Sequence, residues 1–495
     1  MMAPEVVLLD ESLEALGIIR DRSMQVSKRW RRMEDEQWCR ATRRGGVVIA
    51  SLAIVITATG SRRAQKTIET TGTPHRRRLR LTCGGGKLMN MIEGHMTFEP
   101  SSGIPVWDVD PYAEDVLLDP AAYFAELRAR GPLVYISKWS VLATGRYEET
   151  REIFSDHTRF VSSRGVGLND FKCGKPWRPP SIILEVDPPD HTKTRKVMAR
   201  ALSPKAIAGL KDGFRQNAEM IIDGLIERDS FEAVADLAEA FPVAVFPKAV
   251  GMLDSDRRKL VDYGAMVFNA LGPDNKFRRN AMAMAPDIVP WITAACARDR
   301  LTKNGLGALI YSAADDGEVT EDEAAMLVRS FLSAGVDTTV TGIGNALWCL
   351  ASNLDEYEKL KADHSLARAC FEEVLRFTSP VHTFARTANQ DTEVAGHFVG
   401  EGTKILCVLA SANLDPQKWG DPEVFRIDRK PVGHMAFGAG IHGCVGQNLA
   451  RLELETVLTV LVEKVARVEF AGEAVWRPNN AIHALDRMPL RFIAR

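Results

Sequence analysis

From residue 98 onward, apolar residues recur along the chain at three- and four-residue spacing, which is typical of amphipathic helices. Ser203-Pro204 joins a capping residue to a proline suited to the first helical position, and the spacing that follows predicts a helix to about residue 227. The same spacing predicts further helices over 321–351, 365–377 and 446–468.

Short runs rich in β-branched and aromatic residues predict strands at 133–145, 392–399 and 403–410. These runs are few and brief beside the helical segments. The pattern therefore indicates a fold that is mainly α with minor β, an α+β class.

The composition excludes several kinds of protein. With 45% hydrophobic and 26% charged residues, the 495-residue chain is globular rather than disordered or collagenous. A formal net charge of -2 gives no concentrated basic surface, so we expect no nucleic-acid partner. The eight cysteines form no C-x-x-C pair, which argues against a zinc ribbon or a disulfide framework.

Residues 1–95 differ in texture from the rest, because they are rich in arginine and contain no acid between Glu69 and Glu93. The apolar run at 46–60 is shorter than the roughly 20 residues that span a bilayer, so we expect no membrane anchor and a cytoplasmic protein. We interpret 1–95 as a disordered or artefactual extension and 96–495 as one catalytic domain. Natural starting residues would be Met89, Met91 or Met96.

The densest chemical pattern is the run FGAGIHGCVG at 437–446, a glycine-rich loop directly before a long predicted helix. Glycines let the backbone fold tightly, and a helix N-terminus favours a thiolate over a thiol. We therefore expect the pKa of Cys444 to be lowered and its sulfur to serve as a metal ligand.

This run resembles the haem-binding loop of the cytochrome P450 superfamily, F-x-x-G-x-H-x-C-x-G, at Phe437, Gly440, His442, Cys444 and Gly446. The resemblance implies a haem b cofactor with Cys444 as axial iron ligand. It also implies that Phe437 packs on the cysteine side of the haem and that His442 reaches a propionate. A zinc site is the weaker alternative, since the loop supplies only two ligands.

Other motifs match the same superfamily. Glu373 and Arg376 form its E-x-x-R pair, which the resemblance links to Arg429 in a buried structural triad. His191 and Arg195, four residues apart, match the pair that binds haem propionates, and Arg386 is a further candidate for that role.

The run Ala334–Thr339 resembles the oxygen-activation motif A-G-x-D-T-T. Its glycine and β-branched threonines weaken a helix locally, and a threonine hydroxyl can bind a carbonyl of the ladder, which allows a groove. The resemblance makes Asp337 and Thr338 an acid and an alcohol that relay protons to bound oxygen. It places the haem between this helix and the helix after the cysteine loop.

Two departures from the family pattern put local packing in doubt. The usual Asn-Arg-Asp-Pro reads Asn413-Leu414-Asp415-Pro416, and the common Arg-Gly pair near the C-terminus reads His483-Ala484. The extension 1–95 has no counterpart in the soluble bacterial members.

From about residue 98 the chain is similar to the bacterial P450 group that oxidises para-substituted benzoates, typified by 4-methoxybenzoate O-demethylase. The runs that carry this similarity are SSRGVGLNDF (162–171), KPWRPPSIILE (175–185), VFNALGP (267–273) and VRSFLSAGVDTTV (328–340).

The resemblance implies that Arg178, Ser181, Arg329 and Ser330 bind the substrate carboxylate. An anion that enters an apolar pocket needs charge-assisted donors, which these side chains supply. Ser330, Ser333, Ala334 and Asp337 recur at helical spacing, so we expect one helix face to run from the carboxylate end to the oxygen site. The aromatic ring would lie between Phe268, Leu271 and Phe384, where Leu271 replaces a phenylalanine of the characterised relative.

The sequence thus predicts a monooxygenase that uses O2 to oxidise para-substituted benzoates and takes electrons from NAD(P)H through a separate ferredoxin reductase and ferredoxin. We expect a monomer. A monooxygenase for another small aromatic or cyclic substrate is one alternative, and a haem-thiolate sensor without turnover is another. A peroxide-driven fatty-acid hydroxylase fits less well, because that branch lacks the acid-alcohol pair.

Overall fold

A computed structural model describes residues 91–253 and 256–495 and, before them, strand segments between residues 31 and 90. The chain divides into two compact units, Met1–Glu99 and Pro100–Arg495. Residues 1–30, which form part of the predicted extension, lie outside the described residues. That the extension 1–95 is disordered or artefactual stays a prediction. The first unit contains an antiparallel sheet in chain order: β1 (Arg31–Met33), β2 (Gln37–Arg44), β3 (Val47–Ile54), β4 (Ala64–Thr71), β5 (Arg78–Cys83), β6 (Lys87–Ile92) and β7 (His95–Met96).

Helices dominate the second unit, which confirms the predicted α+β class. They are α1 (Glu114–Leu118), α2 (Ala121–Arg130), α3 (Tyr147–Ser155), α4 (Asp190–Ala201), α5 (Pro204–Ala208), α6 (Lys211–Ile226), α7 (Ala240–Val250), α8 (Arg257–Asn269), α9 (Lys276–Met282), α10 (Ala285–Ala295), α11 (Leu306–Asp315), α12 (Glu321–Gly335), α13 (Asp337–Ser352), α14 (Leu354–Ala362), α15 (Ala367–Thr378), α16 (Leu409–Asn413) and α17 (Gln447–Lys464). A π-helix at Val234–Glu239 leads into α7, and single 3₁₀ turns lie at Arg298–Arg300, His364–Leu366, Met435–Phe437 and Gly440–His442.

The strands of the second unit form a six-stranded mixed sheet and smaller pieces. The larger sheet has the order β11-β13-β16-β10-β9-β8, a three-stranded sheet has the order β12-β20-β17, and two hairpins pair β14 with β15 and β18 with β19. Their bounds are β8 (Val106–Trp107), β9 (Val134–Ile136), β10 (Val141–Thr144), β11 (Phe160–Val161), β12 (Phe231–Glu232), β13 (Thr383–Ala388), β14 (Thr392–Val394), β15 (His397–Val399), β16 (Lys404–Val408), β17 (Val465–Phe470), β18 (Val475–Arg477), β19 (Ala484–Arg487) and β20 (Pro489–Ala494).

The helix predicted over 321–351 begins where the sequence indicates but is divided in two. Thr320 and Glu323 form a reciprocal capping box that fixes its start. The helix is interrupted at Val336, whose φ of -92° and ψ of -66° separate α12 from α13. The sequence predicts one helix with local weakening, and the interruption lies inside the run whose glycine and threonines cause that weakening.

Two other helix predictions were too long. Ser203 caps the predicted helix through the backbone N–H of Ala206, but the chain turns at Gly209 and restarts as α6. After Lys464 the chain enters β17, because its C-terminal part pairs with β20 instead of continuing the helix. An apolar run does not by itself distinguish a helix from a buried strand.

The two segments that depart from the family pattern, 413–416 and 483–484, are well packed. Asn413 is buried and bonds both the hydroxyl of Ser379 (2.8 Å) and the backbone N–H of Met435 (2.6 Å). Asp415 accepts from the backbone N–H of Tyr147 at 2.8 Å. His483 stacks on Trp476 with 4.0 Å between ring centroids.

The main hydrophobic core surrounds α12, α13, α15 and α17, so the central helices are held from several sides. Among the described residues, no helix is both long and apolar enough to cross a membrane.

Candidate active site

One large cavity lies between the central helices, the cysteine loop and strand β13. Its empty volume is about 1780 Å³, including the part open to solvent. The predicted site residues that line it come from segments far apart in sequence. They are Arg178, Ser181, Arg195, Phe268, Leu271, Arg329, Ser330, Ser333, Thr338, Phe384, Arg386, Phe437, His442 and Cys444.

The cysteine loop is tightly folded and presents Cys444 to this cavity. The backbone N–H of Cys444 donates to the carbonyl of Phe437 at 2.8 Å, which closes the loop. Gly440 has a φ of +67°, and a Cβ there would lie 2.5 Å from the carbonyl oxygen of Phe154. Only glycine fits this position without displacing the backbone of α3.

The predicted lowering of the Cys444 pKa is not what this structure gives. Burial raises the pKa of the thiol, while backbone N–H groups of Gly446 and Gln447 and the charge of Arg195 act in the opposite direction. Desolvation therefore outweighs the helix terminus. A thiolate at this position requires a stronger positive charge on the cavity side, which a metal ion would supply.

Cationic and imidazole side chains gather at one side of the cavity beside the cysteine loop. The ring centroids of His191 and His442 lie 4.3 Å apart. No described residue forms a hydrogen bond with Nε2 of His191, and Nε2 of His442 lies 3.9 Å from Oδ1 of Asp187. Burial, followed by the charges of His442 and Arg195, lowers the pKa of His191 to about 4. Burial likewise lowers the pKa of Arg386 to about 10, and its guanidinium lies 4.2 Å from the ring of Phe154.

These residues fit a haem. Buried donors without partners are costly, so this cluster is suited to anionic groups such as two propionates. On the other side of the loop, Phe437 packs near Phe371, with ring centroids 6.5 Å apart, and Arg451 lies 4.7 Å from the Phe437 ring. A cysteine at the base of a large apolar cavity and donors at its margin form a donor set suited to iron porphyrin.

The predicted E-x-x-R triad is assembled next to the loop. Both Glu373 and Arg376 are completely buried. Glu373 accepts from Nη2 and Nε of Arg376 at 2.7 and 2.8 Å and from Nε of Arg429 at 3.0 Å. Arg376 also donates to the carbonyls of Asn413 and Pro422, which ties α15 to the segment before the cysteine loop.

Two threonine hydroxyls bind backbone carbonyls beside the interruption of the central helix. The hydroxyl of Thr338 donates to the carbonyl of Ala334 at 2.6 Å, and that of Thr339 donates to the carbonyl of Gly335 at 2.9 Å. Because these carbonyls lie within one turn of the interruption, the hydroxyls replace part of the lost ladder. Thr338 therefore sits where a ligand in the cavity can reach its hydroxyl.

Asp337 does not line the cavity, so the predicted face holds for Ser330, Ser333 and Ala334 but not for Asp337, and Thr338 of α13 lines the cavity instead. The side chain of Asp337 is fully buried and lies 3.3 Å from Nη2 of Arg477, on β18. A Cβ at Gly264 would lie 2.5 Å from the Asp337 Cβ, so the absence of a side chain there admits this close approach. Burial raises the pKa of Asp337, while Arg477 acts in the opposite direction.

A second buried carboxyl group, which the sequence analysis missed, lines the cavity. Oε2 of Glu453 lies 3.3 Å from the Thr339 hydroxyl, and Oε1 has no hydrogen-bond partner among the described residues. Burial raises the pKa of Glu453 to about 8. The sequence does carry a signal for this group, because Glu453 is an acid within the apolar stripe of α17, four residues from both Leu449 and Val457.

The end of the cavity beside Arg329 and Ser330 of α12 is polar. Arg178 and Ser181 face Ser330, and the two serine hydroxyls lie 3.2 Å apart. Nη2 of Arg329 lies 3.4 Å from the carbonyl of Pro179, so α12 and the 178–181 segment approach each other here. Glu185, also missed from sequence, lies 3.2 Å from Nη1 of Arg178.

The wall between the polar end and the cysteine loop is apolar. Phe268 belongs to a small buried cluster against which Leu271 and Phe384 pack. Phe384 and Arg386 are two residues apart on β13, so both point to the cavity from one face of the strand. Ser333 lines the cavity too, and its hydroxyl donates to the carbonyl of Ser330 at 2.9 Å.

Comparisons with known proteins agree with this geometry. The Cytochrome P450 family model matches residues 242–480. Cytochrome P450 CYP199A2 of Rhodopseudomonas palustris is 48% identical over 392 residues, which cover 79% of this chain and 95% of that protein. Cytochrome P450 monooxygenase PikC of Streptomyces venezuelae is 31% identical over 78% of this chain and 94% of its own length.

Among solved structures, cytochrome P450 CYP109Q5 of Chondromyces apiculatus superposes with a TM-score of 0.67 at 31% identity, covering 78% of this chain and 99% of that chain. Sequence identity at this level over nearly whole relatives, together with the cysteine loop and the buried E-x-x-R triad, establishes the relationship. The chain belongs to the cytochrome P450 family of haem-dependent monooxygenases.

Proposed function

We propose that this cytochrome P450 oxidises the para substituent of benzoate-type acids, for example by O-demethylation of 4-methoxybenzoate. The observation that carries the proposal is the polarity of the cavity. Two guanidinium groups and two hydroxyls lie at one end, and Thr338 and the cysteine loop border the other part. The apolar side chains of Phe268, Leu271 and Phe384 line the cavity as well.

This arrangement suits a rigid aromatic acid. A carboxylate that leaves water for an apolar pocket loses its hydration, and charge-assisted bonds from Arg178, Ser181 and Ser330 would offset that cost. Phe268 and Phe384 provide faces and edges for the ring. With the carboxylate fixed at one end, the position directed away from it is the para carbon, which favours para over meta substituents.

Haem would be held by the sulfur of Cys444, with His191, Arg195, Arg386 and His442 as partners for its propionates. When bound, this group supplies activation of dioxygen. The chain's own contribution is then the control of protons and water. Thr338 lines the cavity beside the interruption of the central helix, and we assign it the role of proton relay.

The acid of the relay, Asp337, lies behind the helix and in contact with Arg477. Asp337 and Thr338 are neighbours in the chain, but only Thr338 lines the cavity. The buried carboxyl group of Glu453 faces the same region beside Thr339. Its raised pKa keeps it protonated at neutral pH, so it is a second proton donor to this part of the cavity.

The proposed reaction consumes one O2, two electrons and two protons for each substrate. One oxygen atom enters the C–H bond of the methoxy carbon, and the other leaves as water. The resulting hemiacetal breaks its carbon-oxygen bond to give 4-hydroxybenzoate and formaldehyde. We propose that the electrons come from NAD(P)H through a separate ferredoxin reductase and ferredoxin.

An optical titration of the ferric protein tests the substrate class. Addition of 4-methoxybenzoate is expected to shift the Soret band of the haem from the low-spin to the high-spin position. Its 3-methoxy isomer is the matched control and should shift the band far less. A normal haem spectrum that neither acid alters would refute the benzoate assignment while leaving the family unaffected.

A further inference from the structure

Glu185 lies directly behind the polar end of the cavity. Its side chain is 5% exposed, and that of Arg178 is 13% exposed. One carboxylate oxygen, Oε2, accepts from Nη1 of Arg178 at 3.2 Å and from the backbone N–H of Ser181 at 2.7 Å. This carboxylate thus contacts two of the residues proposed to bind substrate but does not itself line the cavity.

One nitrogen atom of Arg178 bonds other groups of the protein, while another has no partner in the described part of the chain. Nη1 is used by Glu185 and by the carbonyl of Pro179 at 2.9 Å. The Nε atom of Arg178 is buried and has no hydrogen-bond partner among the described residues. Glu185 therefore orients the guanidinium and leaves donor capacity for a ligand.

The charges at this end do not cancel. Arg178 and Arg329 contribute two positive charges, and Glu185 contributes one negative charge. No acid in the described part of the chain forms an ion pair with Arg329. The polar end consequently carries one net positive charge, which equals in magnitude the charge of one carboxylate.

We infer that Glu185 is a positioning residue that makes this end of the cavity selective for aromatic monoanions over dianions. The inference rests on the proposed function, because it assigns the charge class of ligand that the same site accepts. In a poorly hydrated site, a dianion would leave one negative charge uncompensated. Without Glu185, the two guanidinium groups would match a dianion instead.

A charge series on a common 4-methoxyphenyl group tests the inference. The ligands are 4-methoxybenzamide, 4-methoxybenzoate and the dianion of 4-methoxyphenylphosphonate, each titrated by its spin-state shift against the holoenzyme and its Glu185→Gln variant. Glutamine can still accept from the Ser181 N–H, so the turn is retained. Since the energy of a fixed charge scales with the charge of the ligand, the affinity gain in the variant should follow ligand charge.

The expected gains in Glu185→Gln are none for the amide, roughly tenfold for the benzoate and roughly a hundredfold for the phosphonate. Glu318→Gln is the matched control, because Glu318 pairs with Arg200 at a partly exposed site and should change no affinity. Equal changes for all three ligands would show that Glu185 only supports the fold, and this result would overturn the inference. So would a gain that does not increase with charge.

A second measurement does not depend on the substrate assignment. Inorganic sulfate, a dianion, should raise the melting temperature of Glu185→Gln more than that of the unmodified protein, since a ligand stabilises the state that binds it. If 4-methoxybenzoate fails to bind the unmodified enzyme but sulfate stabilises the variant selectively, the proposed substrate is wrong and the role of Glu185 stands. Equal sulfate effects on both proteins would reject that role.

Discussion

The replacement Glu373→Gln is expected to destabilise this enzyme strongly. Its carboxylate compensates two guanidinium groups, of which Arg376 is completely buried and Arg429 is 7% exposed at its side chain. It also accepts from the backbone N–H of Arg426 at 3.1 Å. A carboxamide has no negative charge and only one acceptor oxygen, so both arginines lose their counter-charge and the donors at the other position face an NH2 group.

The size of the effect follows from these contacts. Charge-assisted hydrogen bonds contribute about 1.5 to 3 kcal/mol each, and removal of one member of a buried ion pair costs about 3 to 5 kcal/mol. Because the free energy of unfolding of folded domains is about 5 to 15 kcal/mol, the variant should lose a large part of its stability. The triad ties α15 to the segment before the cysteine loop, so haem retention should fall as well.

Urea unfolding of the purified protein, followed by tryptophan fluorescence and by haem absorbance, measures both effects. Glu358→Gln is the matched control, because that acid is 58% exposed in its pair with Lys361 and should shift the free energy of unfolding by less than about 1 kcal/mol. A loss below about 1 kcal/mol in Glu373→Gln, with full haem content, would refute the reasoning. It would mean that groups other than Glu373 compensate the charges of Arg376 and Arg429.

Further predictions concern the cavity. Thr338→Ala should keep NADH consumption but divert it from product to peroxide, which product and peroxide assays measure; unchanged coupling would contradict the relay assignment. Arg178→Ala should weaken 4-methoxybenzoate binding by about 1 to 3 kcal/mol in the optical titration, while an unchanged dissociation constant would remove Arg178 from the site. Because the pKa of Glu453 rises from 4.5 to about 8 on folding, the folded state holds the proton more tightly. The free energy of unfolding should therefore fall as the pH rises from about 4.5 to about 8, and Glu453→Gln should flatten this dependence in denaturation curves; an unaltered slope would exclude Glu453 as its source.

Features that depend on neighbouring residues could be predicted from the sequence. The glycine-rich run predicts a tight loop, in which Gly440 has a positive φ, and the weak helix formers of the 334–339 run predict a weakened helix, which is interrupted at Val336. In such cases the backbone preference of each residue decides the conformation. The family motifs and the α+β class were accessible for the same reason.

Only the tertiary structure decided which charges meet and which remain without partners. Asp337 pairs with Arg477, which lies 140 residues later in the chain. The side chain of Glu453 on α17 contacts the Thr339 hydroxyl on α13. Burial reversed the pKa shift expected for Cys444, because the desolvation of a group depends on everything that packs around it. Motifs therefore fixed the identity of the family, while the packing of distant segments set the charge of the polar end and the protonation of the buried acids.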